Sequence, residues 1–167
     1  MKFYHYTTEN RLPELLNSQV IKLAWTSVNC KTEKAVAWVS TNPDWENTAT
    51  KMARDSNGGI RNLKFEEQVD FFGCARIQIK PTYKLYEWNK ITKLANIQSY
   101  VVNQLEVLGR KMGGNPKEWY GSLKPIPIDA WVKIEIFQDG NWVELINCEN
   151  RTVSLVESRF FKFGKTN

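Results

Sequence analysis

Apolar positions in this chain alternate with polar ones in several short runs and recur every three or four residues in others. The opening run Lys2-Phe3-Tyr4-His5-Tyr6-Thr7 is aromatic and β-branched, and predicts a strand over 2–7. Leu12, Leu15 and Leu16 then share a helical face, and Pro13 suits the first turn of that helix. Residues 19–23 leave it as a short extended run. Residues 35–40, Ala-Val-Ala-Trp-Val-Ser, read as a buried strand. Next, Asn42 suits an N-cap, Pro43 a first helical position, and Asp44 and Glu46 a helix N-terminus. Trp45, Ala49, Met52 and Ala53 would share a face, so a helix is expected to about Arg54.

Asp55-Ser56-Asn57-Gly58-Gly59 is a loop. Residues 74–79 alternate as a strand that stops at Pro81. Residues 86–111 carry one or two helices, with Leu94, Ile97, Val101, Leu105 and Leu108 apolar, until Gly113-Gly114-Asn115-Pro116 breaks them. Strands over 131–137 and 142–146 flank the hairpin turn Asp139-Gly140, and 152–156 can add another. The tail from Arg159 to Asn167 holds Phe160, Phe161 and Phe163 and is expected to pack down. Repeats and low-complexity tracts are absent. This order predicts one α+β domain over 1–167, with a mixed or antiparallel sheet and helices packed on it.

Composition narrows the chemistry. The 167 residues suffice for one core, and 42% apolar with 25% charged residues is a globular balance. Seven Trp and a 13% aromatic share are high; most of these rings should fill the core, and some should line a cleft. Lys and Arg exceed Asp and Glu by 23 to 18, a net +5. That favours anionic partners such as nucleotides or nucleic acid, though the basic residues are scattered and a merely solvated basic surface is an equal alternative. Three separated cysteines, Cys30, Cys74 and Cys148, and a single histidine argue against a disulfide framework and a zinc site. No run reaches the length of a membrane span or a signal peptide, so a cytoplasmic monomer without a metal is expected.

Three clusters could carry chemistry. His5 and Thr7 share one face of the first strand and Tyr4 and Tyr6 the other. Taken alone, a single strand histidine is more often structural. Trp38, Ser40 and Thr41 end a strand beside the expected helix N-terminus, where a hydroxyl can hold a polar ligand. A cap beside a core Trp explains them equally. Glu118-Trp119-Tyr120-Gly121-Ser122, followed by Pro125-Ile126-Pro127, opens a short strand with a carboxylate that could act on developing positive charge, or be an ordinary surface Glu. Glu135 is a competing carboxylate, but alternation with Ile134 and Ile136 makes it solvent-facing. There is no Gly-x-Ser-x-Gly elbow, phosphate-binding Gly-Lys loop or dinucleotide fingerprint.

Taken in chain order, the clusters resemble those of the ADP-ribosyltransferase superfamily. Tyr4-His5-Tyr6-Thr7 is similar to its first motif, Trp38-Val39-Ser40-Thr41 to its second, and Lys117-Glu118-Trp119-Tyr120 through Pro127 to its third. The chain also resembles small uncharacterised bacterial and phage proteins with a YHYT…WVSTNP…EW pattern. The resemblance implies a split sheet with NAD in its cleft. His5 and Thr7 would hold the adenosine-side ribose or the nicotinamide amide. Ser40 would support the nicotinamide ribose and the catalytic Glu118. Tyr6, Trp38 or Trp45 would stack on the nicotinamide, and Thr41 belongs to the same cofactor-binding set. Glu118 would bind the ribose 2′-hydroxyl and stabilise an oxocarbenium-like transition state. The implied activity is NAD-dependent mono-ADP-ribosylation of a nucleic acid or protein. Pro116 stands where a second acid often activates a protein acceptor, so a nucleic acid suits the positive charge better. The alternative is a non-catalytic nucleotide- or nucleic-acid-binding, or inhibitory, module on the same fold.

Overall fold

A computed structural model describes residues 1–26 and 32–153. The chain begins with β1 (Phe3–Thr7), α1 (Leu12–Ser18) and β2 (Val20–Ile21), then β3 (Ala37–Ser40). A hairpin of β4 (Met52–Arg54) and β5 (Ile60–Asn62) leads into α2 (Phe65–Phe72) and β6 (Ala75–Ile79). There follow β7 (Tyr86–Glu87), α3 (Trp88–Leu94), α4 (Ser99–Lys111), β8 (Trp119–Ser122) and β9 (Ile126–Pro127). The last strands are β10 (Trp131–Gln138), β11 (Asn141–Asn147) and β12 (Thr152–Val153). Cys30, the remainder of the expected final strand and the tail from Arg159 lie outside the described residues.

The architecture is α+β. Eight strands form one sheet in the order β12-β11-β10-β6-β1-β3-β8-β7, and β2 pairs separately with β9. Every described pairing is antiparallel, so of the two sheet types expected the antiparallel one is found. The turn between β10 and β11 fits that geometry: Asp139 and Gly140 both have positive φ, 50° and 80°, which matches the twist of a tight hairpin. No helix among the described residues is long and apolar enough to cross a membrane.

Alternation sorts the sheet into two faces. Ile77 and Ile79 of β6 and Ile134 and Ile136 of β10 point to one face, where Leu12, Ile21, Ile126 and Trp131 complete the main core. Tyr4, Tyr6, Arg76 and Glu135 point to the other. That second face is not solvent, which corrects the reading of Glu135. Glu135 is buried, with Arg76 Nε 2.7 Å and Lys133 Nζ 2.8 Å from its oxygens. The Arg76 guanidinium lies 4.4 Å from the ring centroids of both Tyr4 and Trp142, and it donates to Pro43 O. Trp142 in turn donates to Asp44 O at 2.9 Å, so the 43–45 segment roofs this face. Burial alone would push the Glu135 carboxyl up, but Arg76 and Lys133 bring it below its usual range.

That roof also explains why the helix expected from Pro43 to Arg54 does not form. Local side-chain bonds capture the donors a helix would need. Ser40 Oγ accepts from Asn42 N at 3.1 Å, and Asn42 Oδ1 accepts from Asp44 N at 2.9 Å. Only a 3-10 turn, Asn47–Ala49, survives, and Thr50 is already extended. Met52 and Ala53 then pair with β5 rather than extend a helical face. Conversely, α2 was not expected. Its start is fastened by Glu67, which accepts the Lys64 N–H at 2.8 Å.

Candidate functional site

The sheet is weakest between β1 and β3. They share a single register pair, Tyr4 opposite Ser40, whereas β1 pairs with β6 from Phe3 to Thr7 and β3 pairs with β8 from Ala37 to Ser40. A side chain spans the joint: His5 Nδ1 lies 2.9 Å from Trp38 O. A carbonyl only accepts, so Nδ1 carries the proton in the neutral ring and Nε2 keeps its lone pair. Burial lowers the His5 pKa, the Trp38 carbonyl opposes that, and the Lys51 charge adds to the lowering. At neutral pH the imidazole is therefore uncharged.

A cleft of about 310 Å³ opens at this joint. Tyr4, His5 and Tyr6 of β1 line it, facing Trp38, Val39 and Ser40 of β3. Trp88 of α3 and Trp119 of β8 close it, with ring centroids 5.0 Å apart and planes at 80°. Trp38 lies 5.7 Å from Trp88, and Trp88 is fixed by donating to Glu106 Oε1 at 2.7 Å. Glycines bring α4 and its following turn against Trp119: a Cβ on Gly109 would sit 2.3 Å from its Cη2, and one on Gly114 3.1 Å from its Cζ2.

Among the described residues one carboxylate lines the cleft, and it is Glu46. It is only 6% exposed. Ser40 Oγ donates to its Oε2 at 2.8 Å, and Thr48 Oγ1 and N donate to its Oε1 at 2.8 and 3.3 Å. All three donors are neutral. The charge also raises the Tyr6 phenol, whose shift is dominated by burial and whose hydroxyl donates to Asn42 O.

Of the residues singled out in the sequence, His5, Tyr6, Trp38 and Ser40 meet in this cleft. The Ser40 hydroxyl is committed to Glu46, not to Glu118. Glu118 is half-buried one residue beyond the cleft; its carbonyl accepts from Thr41 N at 2.9 Å, which fixes the end of β3 beside β8. Thr41 and Thr7 do not line the cleft, and Thr7 is buried opposite Ala75. Trp45 is a core residue. Its ring lies 5.2 Å from Tyr6 and 5.5 Å from Phe65, and its Nε1 donates to Thr50 at 2.9 Å.

Thr48 and Trp88 were not singled out in the sequence, Glu46 was read only as a helix-start acid, and Trp119 was read only as a member of the third cluster. A carboxylate flanked by Ser40 and Thr48 was a faint signal, but it takes the failed helix to turn Glu46 inward. Other chemistry has little support. Burial raises the Cys74 thiol to about 12 and Cys148 to about 11, so neither is a ready nucleophile. No group of three or more His, Cys, Asp or Glu among the described residues could hold a metal. The chain matches no family model, no curated protein and no solved structure.

Proposed function

We propose that this chain is an NAD-dependent mono-ADP-ribosyltransferase, acting in the cytoplasm as a monomer on a nucleic-acid or protein acceptor, with an ADP-ribosyltransferase-like split sheet. One observation carries the reading. The three runs that resemble the superfamily's motifs lie on neighbouring strands, β1, β3 and β8, although His5 and Trp38 are 33 positions apart and Thr41 and Glu118 are 77. The joint between the first two opens into an aromatic cleft.

NAD supplies a ribosyl group on a cationic leaving group. Trp38, Trp88 and Trp119 offer apolar faces that exclude water and suit a cationic ring. Neutral His5 Nε2 can accept from a ribose hydroxyl or an amide. Glu118, just before β8, would take a ribose hydroxyl and face the positive charge that develops as the glycosidic bond breaks.

The test is transfer of label from NAD. Incubation with mixed cell lysate should move label to nucleic acid or protein, and Glu118→Gln should reduce transfer about 10²-fold or more with the fold intact. Full turnover by Glu118→Gln would remove Glu118 from the chemistry.

A second reading has an observation of its own. Glu118 does not line the cleft, whereas a carboxylate already held by three donors does. That arrangement favours a module that binds a nucleotide or nucleic acid without turnover. It predicts saturable binding with no release of nicotinamide.

A further inference from the structure

β4 and β5 form a two-stranded ribbon outside the main sheet. Both of its faces are bare: of its six strand residues, only Ala53 is even half-buried. One face carries Met52 and Arg54 opposite Asn62 and Ile60, and Met52 and Ile60 are 67% and 66% exposed. A lone two-stranded hairpin is marginal in water, so it needs anchors. They lie at its base and at its tip. Lys51 N donates to Gln68 Oε1 and Leu63 N to Lys51 O, both at 2.9 Å. Arg61 grips Glu67 of α2 with two bonds of 2.7 and 2.6 Å. At the turn, Asp55 Oδ1 accepts from Asn57 N at 2.9 Å and from Gly59 N at 2.8 Å. The ribbon is held in shape while its large side chains stay unpacked.

Its charge is one-sided. From Lys51 to Lys64 there are four cations and one acid, Asp55, which serves the turn. Arg61 is paired, whereas Lys51, Arg54 and Lys64 are exposed and form no ion pair among the described residues. Three uncompensated cations beside two exposed apolar side chains suit a polyanion that also offers apolar faces, which is the chemistry of a nucleic acid. The ribbon also starts at the rim of the cleft. Thr48 and Ala49 line the cleft, and Lys51 follows two residues on. Lys51 stands near enough to act on His5, whose pKa falls first through burial and further through the Lys51 charge. Bases in a duplex are stacked on one another and out of reach of a side cleft, whereas an unpaired strand leaves them free. The ribbon has no aromatic ring, and Trp38, Trp88 and Trp119 of the cleft supply them.

We propose that the β4–β5 ribbon is a docking surface for single-stranded nucleic acid. Lys51, Arg54 and Lys64 take three backbone phosphates, and Met52 and Ile60 lie against unpaired bases, which brings the strand to the mouth of the cleft. The strand's role as an acceptor rests on the transferase reading; its binding to the ribbon does not.

The test titrates the full chain into a fluorescein-labelled oligonucleotide of about 20 mixed-sequence nucleotides, single-stranded or as its duplex, and reads anisotropy at several salt concentrations. The single strand should bind more tightly than the duplex, with a log–log salt slope of about 2 from three phosphates at about 0.7 each. Lys51→Gln, Arg54→Gln and Lys64→Gln combined should remove most of that slope and weaken binding about 10²-fold or more at about 50 mM salt. An equal charge loss at exposed lysines outside the ribbon, Lys2→Gln, Lys84→Gln and Lys124→Gln, should cost far less. Met52→Ser with Ile60→Ser should weaken the single strand severalfold at an unchanged slope. All the altered side chains are exposed, and an unchanged melting midpoint checks each fold. Single substitutions replace a triple that fails that check, each ribbon cation lowering the slope by about 0.7. No saturable binding of the single strand, a duplex bound as tightly, equal losses in the two triple variants, or full affinity in the apolar double variant overturns the proposal. Ribbon-dependent binding with no transfer of label from NAD upholds it and sinks the transferase reading. Label transfer to a single strand that the ribbon triple variant leaves unchanged does the reverse.

Discussion

His5 holds two roles in one ring: its Nδ1 ties β1 to β3, and the residue lines the cleft. Its folded pKa lies below the ordinary 6.5, first through burial. Above pH 6.5 neither folded nor unfolded chain holds the extra proton, and the histidine adds no pH dependence. Below it the unfolded chain takes the proton first, so stability falls from about pH 6.5 down to the folded pKa. The depressed carboxylates do not interfere there. Glu67, held by Arg61 at about 2, and Glu135 lose their contributions only as pH falls below the ordinary carboxyl value of 4.5. Thermal melts between pH 7 and 5 should therefore show a falling midpoint that His5→Asn flattens. An equal slope in the variant would mean the ring is not the buried titrating group. The histidine itself was legible because it is the only one. Its value as a joint was not, since the Trp38 carbonyl it meets is placed by another strand.

Elements built from simple alternation were the most legible. β1, β6, β10 and β11 fall where the pattern put them, because each has one face on an apolar core. The segment after β3 was misread for a physical reason. Its N-cap, proline and acids all suit a helix, but Ser40, Asn42 and Glu46 spend their oxygens on nearby backbone and hydroxyl donors, and the segment roofs Arg76 instead. The contact between α4 and β8 was equally hidden, and it allows a prediction with opposing terms. Alanine at Gly109 gains about 1 kcal/mol of helix propensity. Its Cβ would also sit 2.3 Å from Trp119 Cη2, on a ring already confined by Gly114. Overpacking of that kind costs about 1–3 kcal/mol. The clash should win, so Gly109→Ala should lower the melting midpoint and weaken whatever the cleft binds. A raised midpoint with unchanged binding would show that the Trp119 ring swings freely.

At the scale of the molecule, two parts of one sheet meet at Tyr4 and Ser40, and the cleft lies on that joint. Chain order hinted at this, because the three runs come in a recognisable succession. Glu46 could not be read as a cleft residue because its burial depends on β3, the 3-10 turn and the α4–β8 connection closing on it together. The net charge of +5 belongs to this scale too, and it bears on the acceptor. A nucleic-acid partner releases counterions when it binds, so its affinity must fall with salt. With three single-strand phosphates engaged, raising salt from about 50 to 200 mM should weaken binding roughly 15- to 20-fold. Among the described residues the cleft is lined by one carboxylate and neutral groups, so binding of uncharged nicotinamide there should respond far less to the same change. Measuring both on one sample separates the surface from the cleft. A steep slope for oligonucleotides beside a shallow one for nicotinamide favours a nucleic-acid acceptor lying across the basic surface. Flat behaviour for oligonucleotides leaves the charge as ordinary solvated surface and turns the search toward a protein acceptor.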